Sequence, residues 1–366
     1  MSSVTSAGGV IHLGMDTSKN TIVVAVLMPG EEVPVIDRVW NDAESVRRVV
    51  GRLAGRGVLR ACYEAGPCGF ELYRLLVSLG VGCDVVAPSL IPKGARERVK
   101  TDRRDAARLA RLLRAGELTP IRVPSPAEEA VRDLVRARQA LLDDRKRAQQ
   151  RLTAVLLRHG RVWRAGSAWT LAHHQWIAAQ CFGEPALATA VAHYRAALDA
   201  REGELAAVEA ELAPWARAAP LAGAVARLGC YRGIAGLTGL TLAAEVVDWR
   251  RFGSARAFMG FTGLVPSEYS SGDRTRRGPI TKAGSEPVRT ALIEAAWAYR
   301  HRPAIGAALR RRQAGAAPGT LARSWAAQRR LYAKYRAMTA RGKPAGVAVT
   351  AMARELAGFT WAEMTS

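Results

Sequence analysis

Two runs near the start, Val10-Ile11-His12-Leu13-Gly14-Met15 and Thr21-Ile22-Val23-Val24-Ala25-Val26-Leu27-Met28, flank Thr17-Ser18-Lys19-Asn20. β-branched residues dominate both runs, and the segment between them has turn chemistry, so the pair predicts an antiparallel hairpin. After Pro29-Gly30, Val33 to Trp40 adds a third strand to the meander. Asn41 with Glu44 has the spacing of a capping box and predicts a helix to about Ala54. Beyond it the pattern alternates: a strand at Val58 to Tyr63, a helix at Gly69 to Ser78, a strand at Cys83 to Ala87, and a basic helix at Thr101 to Ala115. Strands and helices in that order give an α/β domain over residues 1–122.

Ser125-Pro126-Ala127-Glu128 is a strong helix start, since Ser125 can cap, Pro126 suits the first turn and Glu128 can reach back. Val131, Leu134, Leu141, Ala148, Leu152 and Val155 keep heptad spacing up to Gly160, with Arg138 and Arg145 interrupting. Val191, Tyr194, Leu198, Leu205, Val208 and Leu212 step by three and four, with only Arg201 breaking the run, as far as Pro214. Together the runs predict an antiparallel coiled-coil hairpin over residues 123–218, whose tip holds Trp163, Trp169 and Trp176. Those tryptophans either stack on bases or close a small local core, and the local core is the favoured reading. His173 and His174 have no acid or Cys at ligand spacing, so no metal is placed there. From residue 219 to 366 the chain is Ala-rich and mainly helical, with a Gly-dense stretch at Gly229 to Gly239 and a loop at Gly260 to Gly284.

The chain carries 54 Lys and Arg against 32 Asp and Glu, a formal charge of +22 over 366 residues. The excess is one-sided. Residues 1–90 hold 8 basic and 9 acidic groups, whereas Ala295 to Arg354 hold 13 basic residues and no acid. Such a field fits a polyphosphate partner, because neutralising phosphates releases condensed counterions. Half of the residues are hydrophobic, 49%, which excludes disorder for the bulk of the chain. Five cysteines with no Cys-x-x-Cys pair argue against a disulfide framework or a structural zinc site, and point to a reducing, cytoplasmic setting. Met1 to Val10 lacks the pattern of a signal peptide. The longest uncharged segment, Ala165 to Gly183, contains two His and two Gln, so no membrane span is expected.

Asp16 and Glu64 end apolar strands, and Asp102 and Asp105 share a helix face three residues apart. Four carboxylates converging from two strand ends and a helix would suit a hard divalent cation, which offsets their mutual repulsion. Each acid alone has a plainer reading as a helix cap or surface charge, above all Asp102 beside Thr101. Lys100, Arg103 and Arg104 surround the last pair, as expected for metals at a phosphate-binding surface.

The stretches Gly14-Met15-Asp16-Thr17-Ser18-Lys19, Tyr63-Glu64-Ala65 and Lys100-Thr101-Asp102-Arg103-Arg104-Asp105-Ala106 resemble the DEDD motif of insertion-sequence transposases whose N-terminal domain is similar to the resolvase RuvC. Downstream, Gly263-Leu264-Val265-Pro266-Ser267-Glu268-Tyr269-Ser270-Ser271-Gly272 and Arg276-Arg277-Gly278-Pro279-Ile280-Thr281-Lys282 resemble the second domain of that family. The resemblance implies a ribonuclease-H-like N-terminal domain and a helical C-terminal transposase domain. It implies Mg²⁺ held by Asp16, Glu64, Asp102 and Asp105, with Ser271 attacking the scissile phosphodiester to hold DNA as a phosphoserine. Arg274, Arg276, Arg277 and Lys282 would hold the strand backbone. It further implies DNA as substrate, a structured noncoding guide RNA, a homodimer or homotetramer, and work at the bacterial nucleoid. By composition alone Ser271 reads first as a turn residue and only the resemblance reverses this, while Ser270 is a second candidate nucleophile. A structure-selective nuclease using water, or a non-catalytic binder, also fits the residues. Gly233 to Thr241 resembles the family's helix-hairpin-helix turn, but with Ala235 and Thr238 at positions where Pro and Gly are usual, so a packing turn is at least as good a reading.

Overall fold

The computed structural model describes residues 9–92, 101–269 and 276–366. The chain divides into two compact units, Met1–Val123 and Pro124–Ser366. The first contains β1 (Val10–Thr17), β2 (Thr21–Leu27), β3 (Val35–Trp40), α1 (Ala43–Leu53), β4 (Val58–Glu64), α2 (Glu71–Ser78), β5 (Gly82–Val86) and α3 (Asp102–Ala115). One mixed sheet runs in the order β3-β2-β1-β4-β5. β2 is antiparallel to both β1 and β3, while β4 is parallel to β1 and β5. Both faces are covered, which is why β1 and β2 read as nearly continuous apolar runs. On one face Leu13, Met15, Val24 and Tyr63 pack with Val46, Val49 and Leu76 of α1 and α2. On the other, Val23 and Ala25 pack with Ala106 and Ala110 of α3, and Cys62 packs with Leu109 and Leu113.

The cap of α1 differs from expectation by one residue. Asp42 accepts the amide of Ser45 at 2.7 Å, because the Asn41 side chain is spent donating to the Ser18 carbonyl at 2.8 Å and tying down the β1–β2 turn.

The second unit is mostly helical: α4 (Pro126–Arg158), α5 (Leu171–Ala178), α6 (Pro185–Trp215), α7 (Ala222–Gly229), α8 (Gly236–Val246) and α9 (Ala255–Phe261), then β6 (Pro266–Glu268) and β7 (Arg277–Ile280), then α10 (Glu286–Ala296), α11 (Ala307–Gln313), α12 (Pro318–Ala340) and α13 (Ala345–Thr365). Ser125 forms the expected reciprocal cap with Glu128. α4 and α6 run in opposite directions: Val131 and Val135 meet Leu212 at one end, and Leu152 and Val155 meet Val191 and Leu198 at the other. Arg138, which breaks the apolar spacing, is satisfied across the pair by Glu209 at 2.8 Å. At the far end Trp169 and Trp176 pack on the apolar cluster, and His173 stacks on Trp176 with ring centroids 5.7 Å apart. The tip aromatics therefore form a small core. β6 and β7 pair antiparallel inside what reads as a loop, since Pro266, Gly278 and Pro279 mask short strands in sequence.

The core of this unit gathers Leu228, Tyr231, Phe258, Leu292, Leu331 and Leu356. Gly233 adopts φ 83°, and a Cβ there would lie 2.2 Å from the Ala295 carbonyl oxygen, so the Gly-dense stretch packs tightly on α10. Glu363 of α13 is fully buried and accepts from Arg227 at 2.9 Å, from Arg323 at 2.7 Å and from Thr320 at 2.7 Å. Glu245 of α8, 4% exposed at its side chain, takes a two-point ion pair from Arg136 of α4 at 2.8 and 3.2 Å. Among the described residues no helix is long and apolar enough to cross a membrane, and all five cysteines are free.

Candidate active site

β1 and β4 are parallel neighbours with Met15 opposite Tyr63. The next residues, Asp16 and Glu64, therefore stand side by side at the strand ends. Because side chains alternate along a strand, and Met15 and Tyr63 face α1 and α2, both acids point to the α3 side. Each is half-buried.

Gly14 fixes how α3 lies across that face. A Cβ on Gly14 would sit 2.2 Å from the Ala106 oxygen and 2.3 Å from the Ala110 nitrogen, so only glycine permits the approach. The helix runs antiparallel to β1. Its C-terminal Arg114 acts electrostatically on His12, whose imidazole is held below its usual pKa by burial first and then by Arg114 and Arg60. Ala106 meets Val23, the partner of Asp16 in β2. The first turn, with Asp102 and Asp105, is thus carried over the strand ends that bear Asp16 and Glu64. Thr101 caps this turn through the Arg104 amide at 3.4 Å.

Asp102 and Asp105 are not equivalent. Asp102 is largely exposed and pairs at 3.4 Å with Arg38, which lies two strands from Asp16 in the same row. That draws its carboxylate toward β3. Asp105 is half-buried, and its Oδ2 is buried with no hydrogen-bond partner among the described residues. An orphaned acceptor of this kind is costly unless a cation or donor meets it. An all-oxygen set of two strand-end carboxylates, Asp102 and this atom fits Mg²⁺ in donor chemistry. As the side chains stand, no three His, Cys, Asp or Glu residues among the described residues are close enough to hold a metal ion. Asp102 takes its positive partner from Arg38.

Arg103 and Arg104 are exposed on the first turn of α3. Arg276 and Arg277 lie at the start of β7, where the Tyr269 amide donates to the Arg276 carbonyl at 2.9 Å and Arg277 sits 3.8 Å from Glu268. Lys282 follows with φ 55°, exposed. Ser270, Ser271, Arg274 and Lys100 lie outside the described residues. The residues that the sequence did not flag are Gly14 as a close-approach position and Arg38 as the partner of Asp102. A glycine two residues before a strand-end acid is a usable signal for the first. Nothing in the sequence marks Arg38, whose role depends on strand pairing.

Residues 13–160 match a family profile described as a transposase, of the DEDD and IS110 type. Residues 226–310 match the profile of the transposase IS116/IS110/IS902 family. The chain is 43% identical over 356 residues to "Putative transposase y4qE" of Sinorhizobium fredii, an overlap covering 96% of this chain and 87% of the relative. The chain belongs to the IS116/IS110/IS902 transposase family. The "Transposase for insertion sequence element IS1533" of Leptospira borgpetersenii is 30% identical over 331 residues, covering 89% of this chain and 96% of its own length. A more distant member, the "Transposase for insertion sequence element IS1111A" of Coxiella burnetii, is 25% identical over 286 residues, 78% of this chain and 76% of its own. As a transposase of this family the chain is a DNA-processing enzyme, with a mixed α/β sheet unit before a mostly helical one.

Proposed function

We propose that this transposase cleaves and rejoins DNA through a covalent phosphoserine on Ser271, with Asp16, Glu64, Asp102 and Asp105 as its Mg²⁺-holding carboxylates. In that reading the N-terminal domain, residues 1–122, is ribonuclease-H-like. Residues 123–218 are a coiled-coil hairpin that acts as a spacer, and residues 219–366 are the transposase domain carrying the nucleophile. The observation that carries it is the first turn of α3 held over the ends of β1 and β4, with Asp105 Oδ2 unsatisfied.

Bound Mg²⁺ would supply charge neutralisation at the scissile phosphate. The chain's own groups do the remainder. The Ser271 oxygen forms a bond to phosphorus and gives up its proton, while the bond from phosphorus to the deoxyribose oxygen breaks and that oxygen takes a proton. Attack of the released hydroxyl on the phosphoserine reverses these bonds and rejoins DNA. Arg103, Arg104 and Lys100 beside the acids, and Arg274, Arg276, Arg277 and Lys282 beside the nucleophile, hold the strand backbone. Target choice belongs to a structured guide RNA, and the protein works as a homodimer or homotetramer, so that acids of one protomer can serve the Ser of another.

One observation favours a second reading, a structure-selective endonuclease that hydrolyses DNA with water: all four acids lie in the first unit, which does not contain Ser271. Incubating the protein with Mg²⁺, its flanking RNA and end-labelled junction DNA separates the two. A denaturation-resistant adduct mapped to Ser271 by peptide mass spectrometry, lost in Ser271→Ala, supports the phosphoserine. Cleavage that survives Ser271→Ala supports hydrolysis. Full activity in Asp16→Asn overturns both.

A further inference from the structure

α12 carries five basic residues, and the fold uses them unequally. Arg323 is committed to Glu363 at 2.7 Å, Arg330 to Glu355 at 2.7 Å, and Lys334 also to Glu355. All three ion pairs are made to two acids of α13, Glu355 and Glu363. Arg329 and Arg336 have no ion pair among the described residues, and both are exposed. Trp325, 39% exposed, precedes Arg329 by four residues, and the half-buried Tyr332 lies between the two arginines. Steps of four, three and four put Trp325, Arg329, Tyr332 and Arg336 on one helix face. That stripe is about 16 Å long at the rise of an α-helix.

The opposite face of α12 is the core side, where Ser324, Ala327, Gln328 and Leu331 are buried. Ala322, Ala326 and Ala333 are exposed beside the stripe, so nothing bulky on the helix itself stands in front of it. The segment after α10 runs along one edge: the Ala304 amide donates to Gln328 Oε1 at 3.1 Å, and exposed Arg302 is in that segment.

We infer that this face of α12 binds a single-stranded nucleic-acid segment, with Trp325 stacking on a base and Arg329 and Arg336 on the phosphates that follow. It deepens the reading of a nucleic-acid-processing enzyme and rests on it. A duplex hides its base faces, so it would use the arginines but leave Trp325 without a base to stack on. A single strand offers both phosphate and exposed base planes at this spacing. The fold spends its acids on Arg323, Arg330 and Lys334 and none on Arg329 and Arg336, which leaves those two charges for a ligand.

The test uses the full-length protein and three labelled probes: an oligo-dT strand, an oligo-rU strand and a DNA duplex. Trp325→Ala is expected to weaken strand binding about tenfold, the size of one lost base stack. Arg329→Glu with Arg336→Glu is expected to lower the salt slope of strand binding by about 1.4, at 0.7 per phosphate contact. Ultraviolet cross-links to the strand should map to the peptide holding Trp325 or Tyr332, which separates this face from other basic surfaces. Loss confined to dT assigns DNA, and loss confined to rU assigns RNA. Unchanged strand binding with no cross-link to α12 overturns the inference, as does loss confined to the duplex. A change of oligomeric state in Trp325→Ala, read by light scattering, also overturns it in favour of a contact between copies. Since Trp325, Arg329 and Arg336 have no side-chain hydrogen bond or ion pair among the described residues, variants should keep the wild-type melting temperature. Absence of the Ser271 adduct with α12-dependent strand binding intact would sink the phosphoserine reading alone.

Discussion

Gly14→Ala isolates the contact on which the candidate active site depends. The new Cβ would meet two backbone atoms of α3, the Ala106 oxygen at 2.2 Å and the Ala110 nitrogen at 2.3 Å. Neither can rotate away as a side chain would. Ordinary contact begins at 3.4 Å, so α3 must withdraw by about 1.2 Å, the difference from 2.2 Å. Overpacking of this kind costs about 1–3 kcal/mol. Withdrawal also lifts Asp102 and Asp105 from Asp16 and Glu64, and a misplacement of about 1 Å in a catalytic group costs about 100-fold in rate. Thermal denaturation and strand cleavage of end-labelled junction DNA measure the two effects, with DNA affinity expected to stay within about twofold because Arg103 and Arg104 remain exposed. Gly51→Ala is the control: on the exposed face of α1 a Cβ meets nothing within 4 Å, and stability should hold or rise. If Gly14→Ala melts and cuts like the wild type, α3 does not lie against β1 at Gly14, and the carboxylate site described above is wrong.

Glu363 gives a pH dependence. Burial works to raise its pKa, but hydrogen bonds from Arg323, Thr320 and Arg227 outweigh it and leave the carboxyl below its ordinary 4.5. A depressed folded value adds stability above 4.5 that is lost as pH falls through the folded value. Melting temperature should therefore drop on acidification below that point, and Glu363→Gln should be less stable at neutral pH and flatter in acid. Arg136→Ala strands the buried Glu245 carboxylate and should cost about 3 kcal/mol in denaturant unfolding, whereas replacing both partners with apolar residues should cost much less. Thiol labelling of the native protein should reach exposed Cys181 first. Cys62, buried and with its thiol pushed up by burial, should react only after unfolding, and Cys83, pushed up to about 12, should lag well behind Cys181. Rapid labelling of Cys62 in native protein would contradict its packing under α3.

Much of this was legible before folding, because the relevant signals are local. The apolar runs from Val10 to Met28 specify paired strands through β-branched composition and one turn, and the Ser125–Glu128 reciprocal cap follows from two side chains three residues apart. Of the run Val191, Tyr194, Leu198, Leu205, Val208 and Leu212, the four at seven-residue spacing are buried and Tyr194 and Val208 are half-buried. Acids at strand ends and a charge excess on one part of the chain also need no coordinates. What tertiary structure decided is what depends on distant partners. That Gly14 lies under Ala106 requires α3 to cross β1, a fact about residues 92 positions apart in the chain. Which carboxylate is drawn aside is set by Arg38, placed in the row of Asp16 by two strand pairings. The short β6–β7 pair escaped because three or four residues with Pro and Gly carry no period. On α12 the sequence shows only five cations; their division into three paired with α13 acids and two left to solvent exists only once the helices pack. Sequence fixes which elements form, through near-neighbour propensity and periodicity, while long-range packing selects which charges are neutralised and which remain for a ligand.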